Sequence, residues 1–190
     1  TKYKKKPDAA DLALLQKIDA LPLPGTVPTV AFPFADMWEA PRMRDKGITH
    51  THHMLLPRAM QAMGALWAKA QAHTDARIRG FLTFMVEQAV AGLSVLNRYG
   101  PTHFSQVNRM LAGVYYVAAQ HAECSPWYIL GGKLDRLVKA FGNFKVSAGG
   151  AAINTGTAAH IPLADASIDY IFTDPPFGEN LPYAELNFLV

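Results

Sequence analysis

The string "IDYIFTDPPFGENLPYAELNF", residues 168–188, joins an apolar run to a carboxylate, two prolines, an aromatic ring and a glycine. Ile168–Thr173 reads as a strand, which puts Asp174 at a strand's carboxyl end, where open α/β sheets place their ligands. Pro175 and Pro176 fix φ and remove two backbone donors, so the turn is stiff and its carbonyls become fixed acceptors. Phe177 is then presented from a rigid loop, and Gly178 lets a backbone or a ligand approach closely. A rigid acceptor beside an aromatic face suits a flat ring that carries an amino group. The ring stacks on Phe177 while Asp174 and a proline carbonyl accept hydrogen bonds from the NH2. The competing reading is structural, a stiff turn with a buried Phe.

The rest of the chain bounds what such a loop could serve. Its 190 residues suit one domain or a large piece of one. Half are hydrophobic and 17% charged, too apolar a mixture for a disordered chain. The formal net charge of +3 permits a nucleic-acid partner without demanding one, because much of it comes from the terminal Lys2, Lys4, Lys5 and Lys6. A single cysteine, Cys124, excludes an internal disulfide and a Cys-rich zinc site, and makes a reducing cytoplasmic setting the default expectation. No apolar run is long enough for a membrane span. The start, "TKYKKKPDAADLALL", lacks both a signal-peptide core and an initiating Met, which leads us to expect a chain that begins inside a longer protein.

The elements that must position the loop follow from periodicity and punctuation. Asp8–Ala20 reads as a helix capped by Asp8, and the proline-bearing stretch Leu21–Pro41 as an extended surface connector. Met60, Met63, Trp67 and Ala70 mark one face of a second helix with Pro57 in its first turn. A third, capped by Thr74, is expected to run to about Asn97 and to be deeply buried, since its apolar residues cover most of its circumference. Leu111–Ala119 has strand character. Ser125-Pro126 starts a helix striped by Leu130, Leu134, Leu137 and Phe141 and ended by Gly142. After Lys145 the texture turns to short strand-like pieces. The expected layout is thus an N-terminal helix and connector (1–46), a mainly helical region (47–143) and an α/β segment carrying the loop (144–190).

At the loop the residues carry a family likeness. "IDYIFTDPPFG" resembles motif IV of the amino-group DNA methyltransferases, and "IPLADASIDYIFTDPPFGENLPYAELNFL" is similar to a subgroup of prokaryotic adenine-specific DNA methylases. "GITHTHHMLLPRAMQAMGALW", 47–67, resembles more loosely a helix start upstream in such proteins. The resemblance implies a partial Rossmann-like α/β methyltransferase fold with a large helical N-terminal portion, S-adenosylmethionine as cofactor and DNA as partner. It implies that Asp174, helped by the Pro175 carbonyl, accepts from the N6 amino group of a flipped adenine. Pro176 would stiffen that platform and Phe177 would stack on the extruded base. Gly178, Tyr183 and Asn187 become candidate substrate-binding residues, and Thr173, His53 and Arg58 candidate cofactor-binding residues. N4-cytosine presents the same kind of amino group, and a non-catalytic DNA-binding or interaction domain retaining the motif is the alternative of another class.

The family's Gly-rich "DPFxGxG" donor loop does not occur in these residues, and "SAGGAAINTGTA" (147–158) lacks the acid and the aromatic that loop needs. We therefore expect the donor loop in the remainder of a longer methyltransferase chain. His50, His52 and His53 have an H-x-H spacing compatible with metal ligation. No Cys or acid joins them at ligand spacing, so a polar turn is the expectation, with no metal. His53 and Arg58 are placed to face DNA phosphate or the donor pocket. Gly131-Gly132-Lys133 lacks the Ser/Thr and the distant glycine of a phosphate loop and reads as helix. Asn97-Arg98-Tyr99 and Arg109 are plausible DNA-facing groups, against simpler roles at a helix end and in solvent.

Overall fold

The computed structural model of the chain describes residues 5–33, 35, 37, 40–102, 104–107 (backbone), 115–143, 150–175 and 188. Helix α1 is Ala9–Asp19, started where the sequence places its cap: Asp8 and Asp11 each accept the other's backbone N–H at 3.0 Å. This reciprocal box satisfies two of the donors that a helix start leaves open. Lys5 bridges both carboxylates at 2.8 Å, and the pair, Asp11 foremost, raises its pKa.

The connector that follows is extended, but it does more than cross a surface. Val27, Phe32 and Met37 are buried. Thr26 Oγ1 donates to the Gly64 carbonyl at 2.9 Å, and Gln61 Nε2 to the Pro22 carbonyl at 2.8 Å, which lays the connector along the next long helix. The approach is so close that a Cβ on Gly64 would stand 2.5 Å from Pro24 Cβ, so only glycine fits there. The connector also ends earlier than Pro41, because α2 spans Ala40–Asp45. It stops in a glycine cap: Gly47 has φ +71°, its N–H donates to the Arg44 carbonyl, and the Ile48 N–H reaches the Met43 carbonyl, both at 2.9 Å.

A 3₁₀ turn at Thr51–Met54 leads into α3, Pro57–Gln71, with proline at its first position as expected. Helix α4 is Ala76–Glu87, shorter than the sequence suggests and capped by Asp75 rather than Thr74. The Asp75 carboxylate accepts from Arg77 N and Ile78 N, and those bonds, Ile78 first, hold its pKa low. Nor is α4 deeply buried. Val86 is, but Ile78, Phe81 and Phe84 are close to half exposed. The apolar circumference is split between the core and an outer face, where Phe81 meets Phe141 edge-on at 5.4 Å.

After a short α5 (Val90–Leu93) the chain turns into β1, Asn97–Gly100, so the residues expected to end a helix begin a strand. It pairs antiparallel with β2, Phe104–Val107, in the register Asn97–Val107 to Gly100–Phe104. Of the strand expected at Leu111–Ala119, positions 111–114 lie outside the described residues and 115–119 form no strand. The return segment pairs with β1 slightly later, through Tyr99 N to Gln120 O and Ala122 N to Asn97 O. Helix α6, Pro126–Gly142, confirms the Ser-Pro start and absorbs Gly131-Gly132-Lys133 into helix, although the Ser125 side chain makes no capping bond. Only Leu130 of its stripe is buried; Leu134 and Phe141 lie open.

Two apolar clusters hold these elements. One gathers Phe32, Met37, Met43, Ile48, Met54 and Tyr115 around Val95 and Leu96, and Phe188 packs its ring on Phe32 at 5.5 Å. The other joins Ala59 and Met63 of α3 to Val86, Leu93, Cys124 and Leu130. Between them lies Asn97, with no exposed surface. Its Nδ2 donates to the Gly92 carbonyl at 2.9 Å and the Ala122 carbonyl at 2.8 Å, with Cys124 Sγ at 3.3 Å. Two carbonyl neighbours fix which end of the amide is the NH2.

Residues 150–175 are exposed throughout and contain turns but no strand. The expected strand Ile168–Thr173 is absent: Tyr170, Ile171 and Phe172 are each more than three-quarters exposed. A β-branched and aromatic run becomes a strand only by pairing its backbone with a neighbour, and none pairs with it among the described residues. The sheet there is the single antiparallel pair β1–β2, and the regular structure is otherwise helical. No helix among the described residues is long and apolar enough to cross a membrane.

Replacing Asn97 leaves two buried carbonyls without donors. Asn97→Ala is expected to lower unfolding free energy by roughly 2–4 kcal/mol, read as a fall in the denaturation midpoint at unchanged slope.

Candidate functional site

The residues assigned to chemistry fall in two places. At the loop, Thr173, Asp174 and Pro175 are exposed. No hydrogen bond or ion pair reaches the Asp174 carboxylate among the described residues. Pro176, Phe177, Gly178, Tyr183 and Asn187 lie outside the described residues, as does Arg109.

The second place is the histidine turn, which is built from both sides. Thr51 N donates to the Val30 carbonyl and Phe32 N to the Thr49 carbonyl, zipping the connector to this segment. On the other side Val95 N donates to the Met54 carbonyl at 2.8 Å. The three imidazoles cluster, with ring centroids 4.1 Å apart for His52 and His53 and 5.4–5.6 Å for the pairs with His50. Among the described residues no group of three His, Cys, Asp or Glu is arranged to hold a metal.

His52 and His53, although consecutive, line different cavities. His53 accepts the Thr49 N–H at Nδ1, 3.1 Å, so in the neutral ring the proton is on Nε2. It borders a cavity of about 420 Å³ with Lys46 and His121. Lys46 Nζ already donates to the Val117 and Ala118 carbonyls, at 2.5 and 3.1 Å. His52 borders a smaller cavity of about 290 Å³, with Trp67 and Glu87. Burial, and then its neighbours His53 and His50, hold the His52 pKa below the ordinary value near 6.5, and its Nδ1 is buried without a partner.

Arg58 turns away from any free role. Its Nε and Nη2 grip Glu123 at 3.1 and 2.5 Å, a fork that ties the start of α3 to the return segment and raises the guanidinium pKa. No hydrogen bond, ion pair or ring contact among the described residues joins Thr173 to His53 or Arg58. Arg58 is held by Glu123, and His53 Nδ1 is taken by the Thr49 N–H. Of the candidate DNA-facing groups, Asn97 is core.

Three participants were not singled out in the sequence: Lys46, Glu87 and His121. Glu87 did carry a signal. It ends a helix with no basic residue three or four positions away, where Thr83, Phe84, Val90 and Ala91 stand. No protein-family model matches the chain, and neither a curated protein nor a solved structure matches it at a significant level.

The histidine turn makes stability depend on pH in a definite sense. His52 binds its proton less readily folded than unfolded, so its contribution is complete above about pH 6.5 and is lost as pH falls through the lower folded-state value. Acidification from pH 7 to 5 is expected to lower the thermal midpoint of the native chain more than that of His52→Gln, as measured by parallel melts.

Proposed function

We propose that this chain carries the target-base half of an S-adenosylmethionine-dependent DNA methyltransferase that acts on the exocyclic N6 amino group of an extruded adenine. The observation that carries the reading is the string Thr173-Asp174-Pro175-Pro176-Phe177-Gly178, with Asp174 exposed and its carboxylate taken by no neighbour among the described residues. An unclaimed carboxylate followed by two prolines and an aromatic is what an amino-bearing ring requires. Asp174 accepts from the NH2 and orients the nitrogen lone pair, the Pro175 carbonyl takes the second hydrogen, and Phe177 stacks on the ring.

The partial Rossmann-like α/β fold belongs to this proposal, as does a cytosolic or nucleoid setting. So does a donor site completed elsewhere: the methyl donor supplies an electrophilic carbon on a sulfonium, and the "DPFxGxG" loop that would hold it is missing from these residues. That same lack favours the second reading, a DNA-interaction domain that keeps the motif without the chemistry.

Two measurements separate the readings. In the full-length protein Asp174→Ala should cut methyl transfer to DNA by at least about 100-fold with an unchanged melting point; retained activity would remove Asp174 from the reaction. Calorimetry on the 190-residue chain should show little or no S-adenosylmethionine binding. Micromolar affinity would mean that 147–158 or the histidine turn holds the donor after all.

A further inference from the structure

The cavity beside His52 is enclosed by Thr26–Pro28 of the connector, by Met63 and Trp67 of α3, and by Glu87 and Val90. Its volume of about 290 Å³ accommodates a molecule on the order of ten non-hydrogen atoms. Its walls are mostly apolar, and its two threonines present acceptors. Thr26 spends its hydroxyl proton on the Gly64 carbonyl, and Thr51 spends its own on the Pro28 carbonyl at 2.7 Å. What those hydroxyls still present is lone pairs.

Glu87 adds a carboxylate that is half-buried and, among the described residues, has neither an ion-pair nor a hydrogen-bond partner. It stands at the carboxyl end of α4, where the helix's own exposed carbonyls repel negative charge. An unpaired acid at the negative end of a helix, against an apolar wall, is uncompensated within the described residues. The neighbouring His52 does not supply the missing charge, since burial disfavours its protonation. Trp67 lines the same cavity with its indole, the side chain that best accommodates a cation on its face.

From this arrangement we propose that the cavity binds a small organic cation, an aromatic or aliphatic body with an ammonium or amidinium head directed at Glu87. None of Thr173, Asp174 and Pro175 lines this cavity, and the inference does not depend on the methyltransferase reading. The Glu87 carboxylate and the threonine lone pairs select the head group, the apolar walls select the body, and Trp67 with Glu87 brings the two together.

The test uses three probes of matched size on the intact chain: phenethylammonium, 2-phenylethanol and phenylacetate. Titration by NMR, following the Trp67 indole N–H, should show phenethylammonium binding at least ten-fold more tightly than the alcohol, with no binding of the carboxylate. In Glu87→Gln the preference for the cation should vanish while the melting point holds or rises, because a charge at the unfavourable helix end has been removed. Equal affinity for all three probes, no binding of the cation, or a preference that survives Glu87→Gln would each overturn the proposal. Should the variant fail to fold, the three-probe comparison on the native chain decides alone.

Discussion

The fold turns on a single buried amide. Asn97 stands where α5 ends, β1 begins and the return segment passes back towards α6, and its NH2 serves carbonyls on both sides, Gly92 and Ala122. Helix ends leave carbonyls unsatisfied, and a return segment that forms only isolated bridges leaves more. One side chain with two donors closes both gaps at once. Its backbone takes part as well, donating to the Ser94 carbonyl and accepting from Ala122 N. Because Leu96 belongs to one apolar cluster and Leu93 and Cys124 to the other, the amide fixes the relation of the two cores.

That relation gives the histidine turn its character. Thr51–Met54 is clamped by the connector on one side and by Val95 on the other, so its side chains cannot all face one way. His52 and His53 separate onto two cavities of opposite electrical character. Among the described residues, the His53 side gathers Lys46 and His121 with no acid on its wall, and the His52 side holds Glu87 with no Lys or Arg. A spacing that suggests a shared metal in the sequence is used instead to divide two surfaces. Arg58, five residues on, serves neither, because Glu123 occupies its fork.

What the sequence revealed about the fold was local. Caps and helix starts are decided within a few residues, so Asp8, Pro57 and Ser125-Pro126 were legible. The glycine cap at Gly47 is local as well, but the short α2 that it ends was not expected. The connector's burial was not, since it depends on Gly64 admitting Pro24 from forty positions away in the chain. The long third helix failed for a related reason. Its apolar residues are continuous in sequence, but α4 stops at Glu87, and by Asn97 the backbone is already paired with the return segment at Ala122. Asp174 stands out in the sequence because the motif around it is contiguous. Glu87 showed in sequence only that it lacks a basic helical neighbour; its wider significance comes from the groups that surround it in space.

The strand ahead of Asp174 shows the same limit from the other side. Ile168, Tyr170, Ile171 and Phe172 have strand composition, yet they stand exposed without a ladder. Strand propensity measures how well a side chain fits a pleated, half-buried surface, and it has no value until that surface exists. For Asp174 to be held to the tolerance that methyl transfer demands, the backbone before it must be locked by neighbours on at least one side. The two prolines can stiffen the turn itself but cannot supply those bonds, since each removes a donor. If the loop performs the proposed chemistry, then, the apolar run before it must first be paired. The exposure of Tyr170, Ile171 and Phe172 marks the surface on which that pairing has to occur.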